Sequence, residues 1–504
     1  MTAPLLLLPL DDRPVNLDFP LLLANVAGER LLTPDPALLG RFLDAGDSDA
    51  LAAWLLHSAP AARALLISLD MLAYGGLVAS RTPTVSATQA LHRLQVLREI
   101  KHQHPDIHIY AFNVIMRLTI TGADAETRAA GRDIFRYSVL ADQATRLGDA
   151  QAAQELAEVE ARIPRRLLDA YLGARARNHA VNRAALDMLA DGVLDYLALV
   201  QEDTAPAGLH IAEQHDLQTL ARERVQQERW RLYPGTDEAA MTLLARYLLN
   251  EAGLAFPAAI VLRDAVAAQT PALFEDIPLV NAVQRHLDAV GGTQATTGTP
   301  IAVHTFTPPQ PDLFEMTPLP SPTWDAALAT YPDHNLAEWV QTLWPKPIAM
   351  ADVAYCNGGD PHLIEALLAN QQFWSLESYA GWNTAGNTLG TTLAHAALRV
   401  YARSRGMTPA MESAHQTALC VRLLDDGLYQ SVIRAWAIRR AEENNFSPLN
   451  LTNNAPIVEE WVNTAMHELW HELQNRHPDL SSIHRPFHAR LPWGRLFEVR
   501  ISFD

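Results

Sequence analysis

Cysteine is nearly absent, with only Cys356 and Cys420 in 504 residues. Two thiols are too few for a disulfide framework or a cysteine-based metal cluster. Basic residues are also scarce: 39 Lys and Arg stand against 57 Asp and Glu, a formal charge of -18. A nucleic-acid or anionic-membrane partner is therefore not expected, because phosphate recognition takes a basic surface. No stretch approaches the roughly 18 consecutive apolar residues that mark a membrane span. The opening MTAPLLLLPLDDRPVN has a short apolar run and no basic leader, and it runs directly into Asp11, Asp12 and Arg13. A secretory signal is built differently, so the expectation is a soluble, cytoplasmic protein. Gly75-Gly76, Gly235, Gly358-Gly359 and Gly386 fit neither GxGxxG nor a phosphate-binding loop, and no GxSxG occurs. Neither a nucleotide nor any other cofactor is called for. Low-complexity tracts and internal repeats are missing as well.

What remains is apolar. Residues of that class make up 49% of the chain, enough for a large core, and the length suits several domains or one large barrel with insertions. Nine apolar runs bounded by turn residues are expected strands: 5–10, 64–69, 107–115, 196–200, 230–233, 258–262, 301–306, 347–354 and 373–379. Helical periodicity fills the intervals, and strands alternating with helices imply a largely parallel sheet. The expected fold is an α/β (β/α)8 TIM-like barrel over residues 1–394, with a helical insertion at about 121–193 and a long loop or lid at about 307–346. A mainly helical region with a final strand follows over 395–504. Nine runs are one too many for a closed barrel. Either the run at 301–306 lies outside it, or the architecture is two doubly wound α/β lobes.

Parallel α/β sheets carry their sites at the carboxyl ends of the strands. In DYLALVQEDTAPAG, residues 195–208, an apolar strand ends in the adjacent acids Glu202 and Asp203. Two such carboxylates suit a general acid and a charge stabiliser; the plainer alternative is that Asp203 or Thr204 caps the next helix. Other runs end in the same way. Asp11, Asp12, Arg13, Asp70, Tyr74, Asn113, Arg117, Asp237, Asn357, Asp360, Trp382, Asn383 and Asn387 are candidate substrate-binding residues on one shared rim. Each alone is most simply a loop hydrogen bond, and Asp237 is also an ordinary helix cap. Together they suit a sugar, whose hydroxyl and acetamido groups need Asp and Asn and whose ring faces need an aromatic platform. Cleavage of a glycosidic bond adds one acid and one charge-stabilising group. A small-molecule or oligosaccharide substrate is the expected partner; the sequence is silent on oligomeric state. The arginines Arg165, Arg166, Arg175 and Arg177 read as solvated helix faces.

HELWHELQNRH contains a competing signal. His467 and His471 lie on one helix face with Glu468 between them, the zincin pattern, and His477 has the metzincin spacing. Gln474 replaces the glycine that turns that family's chain towards its metal, and no Met-turn follows. An amphipathic helix without metal is the expectation, with a metal-dependent hydrolase, here or at the rim acids, kept as the alternative. Cys356 reads as a buried, inert thiol.

At LPLDDRPVN, LDMLAYGGLVASR, YPGTDEAAMTLLAR, DVAYCNGGD and YAGWNTAGNTLGT the chain resembles the bacterial domain of unknown function 4127 family. More distantly, an acidic pair ending the fourth strand and a later Trp-Asn look like the barrel of O-GlcNAcase and hyaluronidase-like β-N-acetylglucosaminidases. That resemblance implies that Glu202 orients the substrate acetamido group, which itself attacks the anomeric carbon, while Asp203 protonates the leaving oxygen. Asn357 and Asp360 would contact sugar hydroxyls, with Asn383 beside them. The family's pair is two Asp, whereas the first acid here is Glu. The expected activity is a glycoside hydrolase acting on a 2-acetamido sugar, with a non-catalytic sugar-binding protein as a further alternative.

Overall fold

The computed structural model describes residues 3–122, 124–316, 319–343, 347–482 and 486–503. Residues 1–2 of the opening segment and 317–318 and 344–346 of the long connection lie outside the described residues. The chain divides into two compact units: 1–248 with 274–277 and 288–290, and 249–273 with 278–287 and 291–504.

All nine expected runs contribute strands. They form two open parallel sheets, and no closed sheet is found among the described residues. In the first unit β1 (Leu5–Leu8), β2 (Leu31–Leu32), β3 (Ala64–Ser68), β4 (His108–Ile115), β5 (Tyr196–Gln201) and β6 (Trp230–Pro234) are ordered β2-β1-β3-β4-β5-β6. Leu5–Leu8 and Ala64–Ser68 are buried throughout because a parallel strand is covered on both faces, which is why they read as unbroken apolar runs. Their register sets Leu8 beside Ile67, so the segments leaving β1 and β3 emerge side by side.

The second unit holds β7 (Phe256–Leu262), β8 (Gly292–Gln294), β9 (Thr299–Thr305), β10 (Ala349–Val353) and β11 (Ser378–Ala380), ordered β11-β10-β9-β7-β8. The expected closed barrel is not shown; one open parallel sheet in each unit stands in its place. The 301–306 run, expected outside the barrel, is instead central: Ile301 pairs with both Ile260 and Ala349. A strand's own pattern says that it is buried, not which sheet it joins.

The insertion consists of helices Ala125–Arg146, Ala150–Arg162 and Arg165–Ala190. Arg165 and Arg166 are exposed and ion-paired, as expected of a solvated face. Arg175 and Arg177 are buried: one holds the carbonyls of Met116 and Arg117, the other those of Ser80 and Thr82. Helical spacing placed them on a surface, but that surface packs on the segments leaving β3 and β4. The 307–346 connection is not a simple surface loop either. It carries helices Trp324–Thr330 and Leu336–Leu343, and Trp324 is fully buried in the core of the second unit. That core joins β10 to the carboxyl-terminal helices and includes Leu423–Ile433, which is wound as a π-helix. β12 (Phe487–Arg490) and β13 (Arg500–Phe503) close the unit as an antiparallel pair.

Glycine fixes one backbone crossing near the first rim. A Cβ on Gly40 would sit 2.1 Å from the Gly75 carbonyl oxygen, and Gly75 itself has φ +91°. Gly40→Ala is expected to lower stability by about 2–3 kcal/mol, the upper range for overpacking. Gly173, inside a helix with no atom near its added Cβ, should gain about 0.5–1 kcal/mol as Ala. Urea unfolding of the two variants checks the pair; equal effects would contradict the close crossing.

Candidate functional site

The first unit has the strand order in which ligands bind where neighbouring crossovers diverge, here between the carboxyl ends of β1 and β3. Asp11, three residues beyond β1, accepts from Arg13 Nη2 at 2.8 Å, from Arg13 Nε at 3.0 Å and from Asn16 Nδ2 at 2.8 Å. The same guanidinium reaches Asp237, just past β6, with Nη2 to Oδ1 at 2.6 Å and Nη1 to Oδ2 at 3.2 Å. All three charged groups are buried. Asp237 thus serves as an ion-pair partner and draws Asn16 into the rim as well. Asp12 is half-buried, and its N–H donates to the Gly40 carbonyl.

β5 delivers the acidic pair. Glu202 is 6% exposed; its Oε1 accepts from Arg81 and lies 3.6 Å from Arg117 Nη1. Asp203, more open, is ion-paired to Arg117 Nη2. Arg81 also donates to Thr121 Oγ1. Glu202 Oε2 is buried and has no hydrogen-bond partner.

β3 ends in helix Leu69–Tyr74, and Asp70 in its first turn is wholly buried. Its Oδ2 accepts from Val114 N–H at 2.8 Å, while Oδ1 finds no partner. Burial, reinforced by the charge of Glu202, pushes this carboxyl up to about 7. Tyr74 lies beneath the Arg177 guanidinium, 4.3 Å from ring centre to carbon. Asn113 donates to Asn182 Oδ1, while its own Oδ1 is buried without a hydrogen-bond partner.

The other five expected residues belong to the second sheet, so a single rim shared by all of them is replaced by one rim per sheet. Asp360 caps helix Pro361–Ala369 through His362 N–H and binds His304 Nε2 at 2.9 Å. Asn357 and Asn383 both take left-handed backbone angles, φ 70° and 58°, which Asn tolerates. Asn357 N–H donates to the Asn383 carbonyl, pinning the two turns, and its side chain donates to Asp312. Trp382 meets Phe497 edge-on and is only 5% exposed, so its ring is a core contact more than an open platform. Asn387 donates to Thr384 within its own helix turn.

Around these residues lie groups that carried no motif. Asp352 accepts from Asp360 N–H and Tyr379 Oη, and burial pushes it up to about 6. Asp426, on the π-helix, accepts from Gly381 N–H and Arg422, and burial raises it to about 7. In the first unit Arg81 and Asn16 were visible in LAYGGLVASR and DDRPVN, but Glu202 and Asp237, the acids they meet across the rim, lie over a hundred residues away. No local pattern reports such pairing.

The family described as protein of unknown function (DUF4127) matches residues 5–502. The chain belongs to this family. No curated protein matches it. No solved structure matches it. The more distant likeness to β-N-acetylglucosaminidases therefore has no support from these comparisons.

In this DUF4127 protein the HELWHELQNRH segment lies on helix Ala455–Arg476. The His467 ring stacks on Phe487 at 4.4 Å, and His477 Nε2 is 3.1 Å from Glu365. Burial alone would raise Glu365, but hydrogen bonds from His477, Arg476 and Trp324 outweigh it and hold the group at about 2. Among the described residues no three His, Cys, Asp or Glu side chains converge as a metal would require. Cys356 and Cys420 are buried thiols and are not joined in a disulfide. Among the described residues no helix is long and apolar enough to cross a membrane.

Two outcomes follow from the first rim. Arg13→Met leaves Asp11 and Asp237 buried without their cation and should cost about 3–5 kcal/mol in urea unfolding; a loss below about 1 kcal/mol would contradict the bridge. Asp70 releases its proton near 3.8 when unfolded and near 7 when folded. The folded state therefore binds the extra proton, and wild-type stability falls as pH rises between those values. Asp70→Asn removes that slope. Its stability relative to wild type should climb by roughly 1.4 kcal/mol per pH unit across the window, and a pH-independent difference would contradict the assignment.

Proposed function

We propose that this protein is a glycoside hydrolase acting on a 2-acetamido sugar at the carboxyl rim of its six-stranded sheet. The observation that carries the reading is the acidic pair at the end of β5, where Glu202 Oε2 is buried without a donor and Asp203 is the more open of the two. Asp70 holds a proton up to about 7. Glu202 sits against the guanidinium groups of Arg81 and Arg117. Glu202 and Asp203, one enclosed and one more open, suit the two roles that substrate-assisted glycosidic cleavage needs.

Glu202 Oε2, a buried acceptor without a donor, suits the N–H of an acetamido group. Holding that N–H aims the acetamido oxygen at the anomeric carbon and stabilises the charge formed as the ring closes. Asp203 is the more accessible acid of the pair and is the group assigned to the leaving oxygen. In the ligand-free protein Arg117 is ion-paired to it, and the acid role requires substrate to displace that contact so that Asp203 takes a proton from water before donating it to the leaving oxygen. Asp70 is fully buried and does not meet substrate; it keeps a second negative charge away from Glu202 while protonated.

Turnover of aryl N-acetylhexosaminides and the matching aryl hexosides tests this reading. Asp203→Asn should lower kcat by about 100-fold or more, the scale of a lost general acid, with unfolding unchanged. Glu202→Gln should lower kcat/KM for the acetamido substrate far more than for the plain hexoside. Activity should fall on the alkaline side as Asp70 ionises near 7, and Asp70→Asn should remove that limb. Equal turnover in wild type and Asp203→Asn would overturn the proposal. A sugar bound and returned unchanged would make the protein a non-catalytic binder.

A further inference from the structure

The second sheet, written from its other edge, is β8-β7-β9-β10-β11. Its first strand, β7, has its successor on one side and the third strand on the other, the same order as β1, β2 and β3 of the first unit. Its point of divergence is therefore the carboxyl ends of β7 and β9, where open parallel sheets receive ligands.

The residues there are Arg263 after β7, and His304 and Thr305 ending β9. His304 is fully buried, and Asp360 takes the hydrogen bond from its Nε2 at 2.9 Å. That leaves Nδ1 buried with no partner. Thr305, 3% exposed, likewise has a buried Oγ1 without a partner. An orphaned polar atom in a core costs about 1–3 kcal/mol, so two at adjacent positions need an explanation. Arg263 spends one Nη on the His334 carbonyl at 2.5 Å and keeps further N–H donors. The Trp339 ring is 5.7 Å from both the His304 ring and the Arg263 guanidinium, and it is half-buried.

We propose that this point is a second ligand site, for a hydroxylated carboxylate of the sugar-acid kind. The Arg263 guanidinium takes the carboxylate, as its planar donors suit. With Nε2–H given to Asp360, His304 Nδ1 accepts from a ligand hydroxyl, and Thr305 Oγ1 completes the set. Trp339 covers the site and shifts as ligand enters. The charged and titratable groups facing His304 are Asp360 and Asp352. The proposal does not rest on the glycosidase reading, since every residue belongs to the second unit.

The test is calorimetric titration of the full chain with D-glucuronate, D-gluconate and D-glucose, with thermal midpoints alongside. At least one acid should bind, and glucose should bind at least ten-fold more weakly. Arg263→Gln should weaken acid binding ten-fold or more. Thr305→Val should weaken it several-fold while leaving the ligand-free midpoint unchanged or raised, because it removes an unpaired hydroxyl. A merely structural threonine would give the reverse. Neither acid binding up to millimolar concentration, acid binding that ignores Arg263→Gln, or a lowered midpoint with unchanged binding in Thr305→Val would each overturn the site.

Discussion

A guanidinium buried between two carboxylates, Arg13 between Asp11 and Asp237, is the constraint on which the first rim depends. Arg13 and Asp237 are 224 positions apart, and the bridge ties the turn after β1 to the turn after β6. Removing such charges from water costs several kcal/mol per ion, recovered only when the geometry is satisfied on every side. Here the fork of Arg13 is shared out between both acids, and Asn16 takes up further oxygen atoms. An arrangement that tolerates little displacement fixes both ends of the rim, and β3, β4 and β5 lie between them in the sheet. A reacting group held to within half an ångström needs that kind of frame.

Within the frame, charge is matched but hydrogen bonding is not complete. Arg81 and Arg117 answer Glu202 and Asp203, yet Glu202 Oε2 and Asp70 Oδ1 have no donor. A protein built only for stability would have filled those positions or made them apolar. The second sheet shows a related contrast. Asp352 and Asp426 are surrounded by donors, whereas His304 Nδ1 and Thr305 Oγ1 are bare. Each unit thus has buried unsatisfied atoms at strand ends, where α/β sheets present their chemistry.

The strands were legible because burial on both faces writes unbroken apolar runs, as in Leu5–Leu8 and Tyr196–Gln201. Their allotment to sheets was not. Ile301–Thr305 has the same local signature as Ala64–Ser68, and only its pairing with β7 and β10 reveals a second sheet. The strand-end acids Asp11, Asp70, Glu202 and Asp203 were legible from turn chemistry, and they come from the ends of three of the unit's strands, β1, β3 and β5. Arg175 and Arg177 were misread because helical spacing does not say what packs against a face. His304 and Asp426 carried no motif at all, since a histidine within a strand and an aspartate within a helix look ordinary until their partners arrive from elsewhere in the fold.

The most direct measurement of the central claim is a crystal structure of the protein soaked with a 2-acetamido sugar or its thiazoline analogue. The account predicts the acetamido nitrogen within hydrogen-bond distance of Glu202 Oε2, with Asp203 beside the anomeric substituent. A sugar bound away from the carboxyl ends of β1, β3 and β5, or Glu202 Oε2 occupied only by water at saturating ligand, would contradict it.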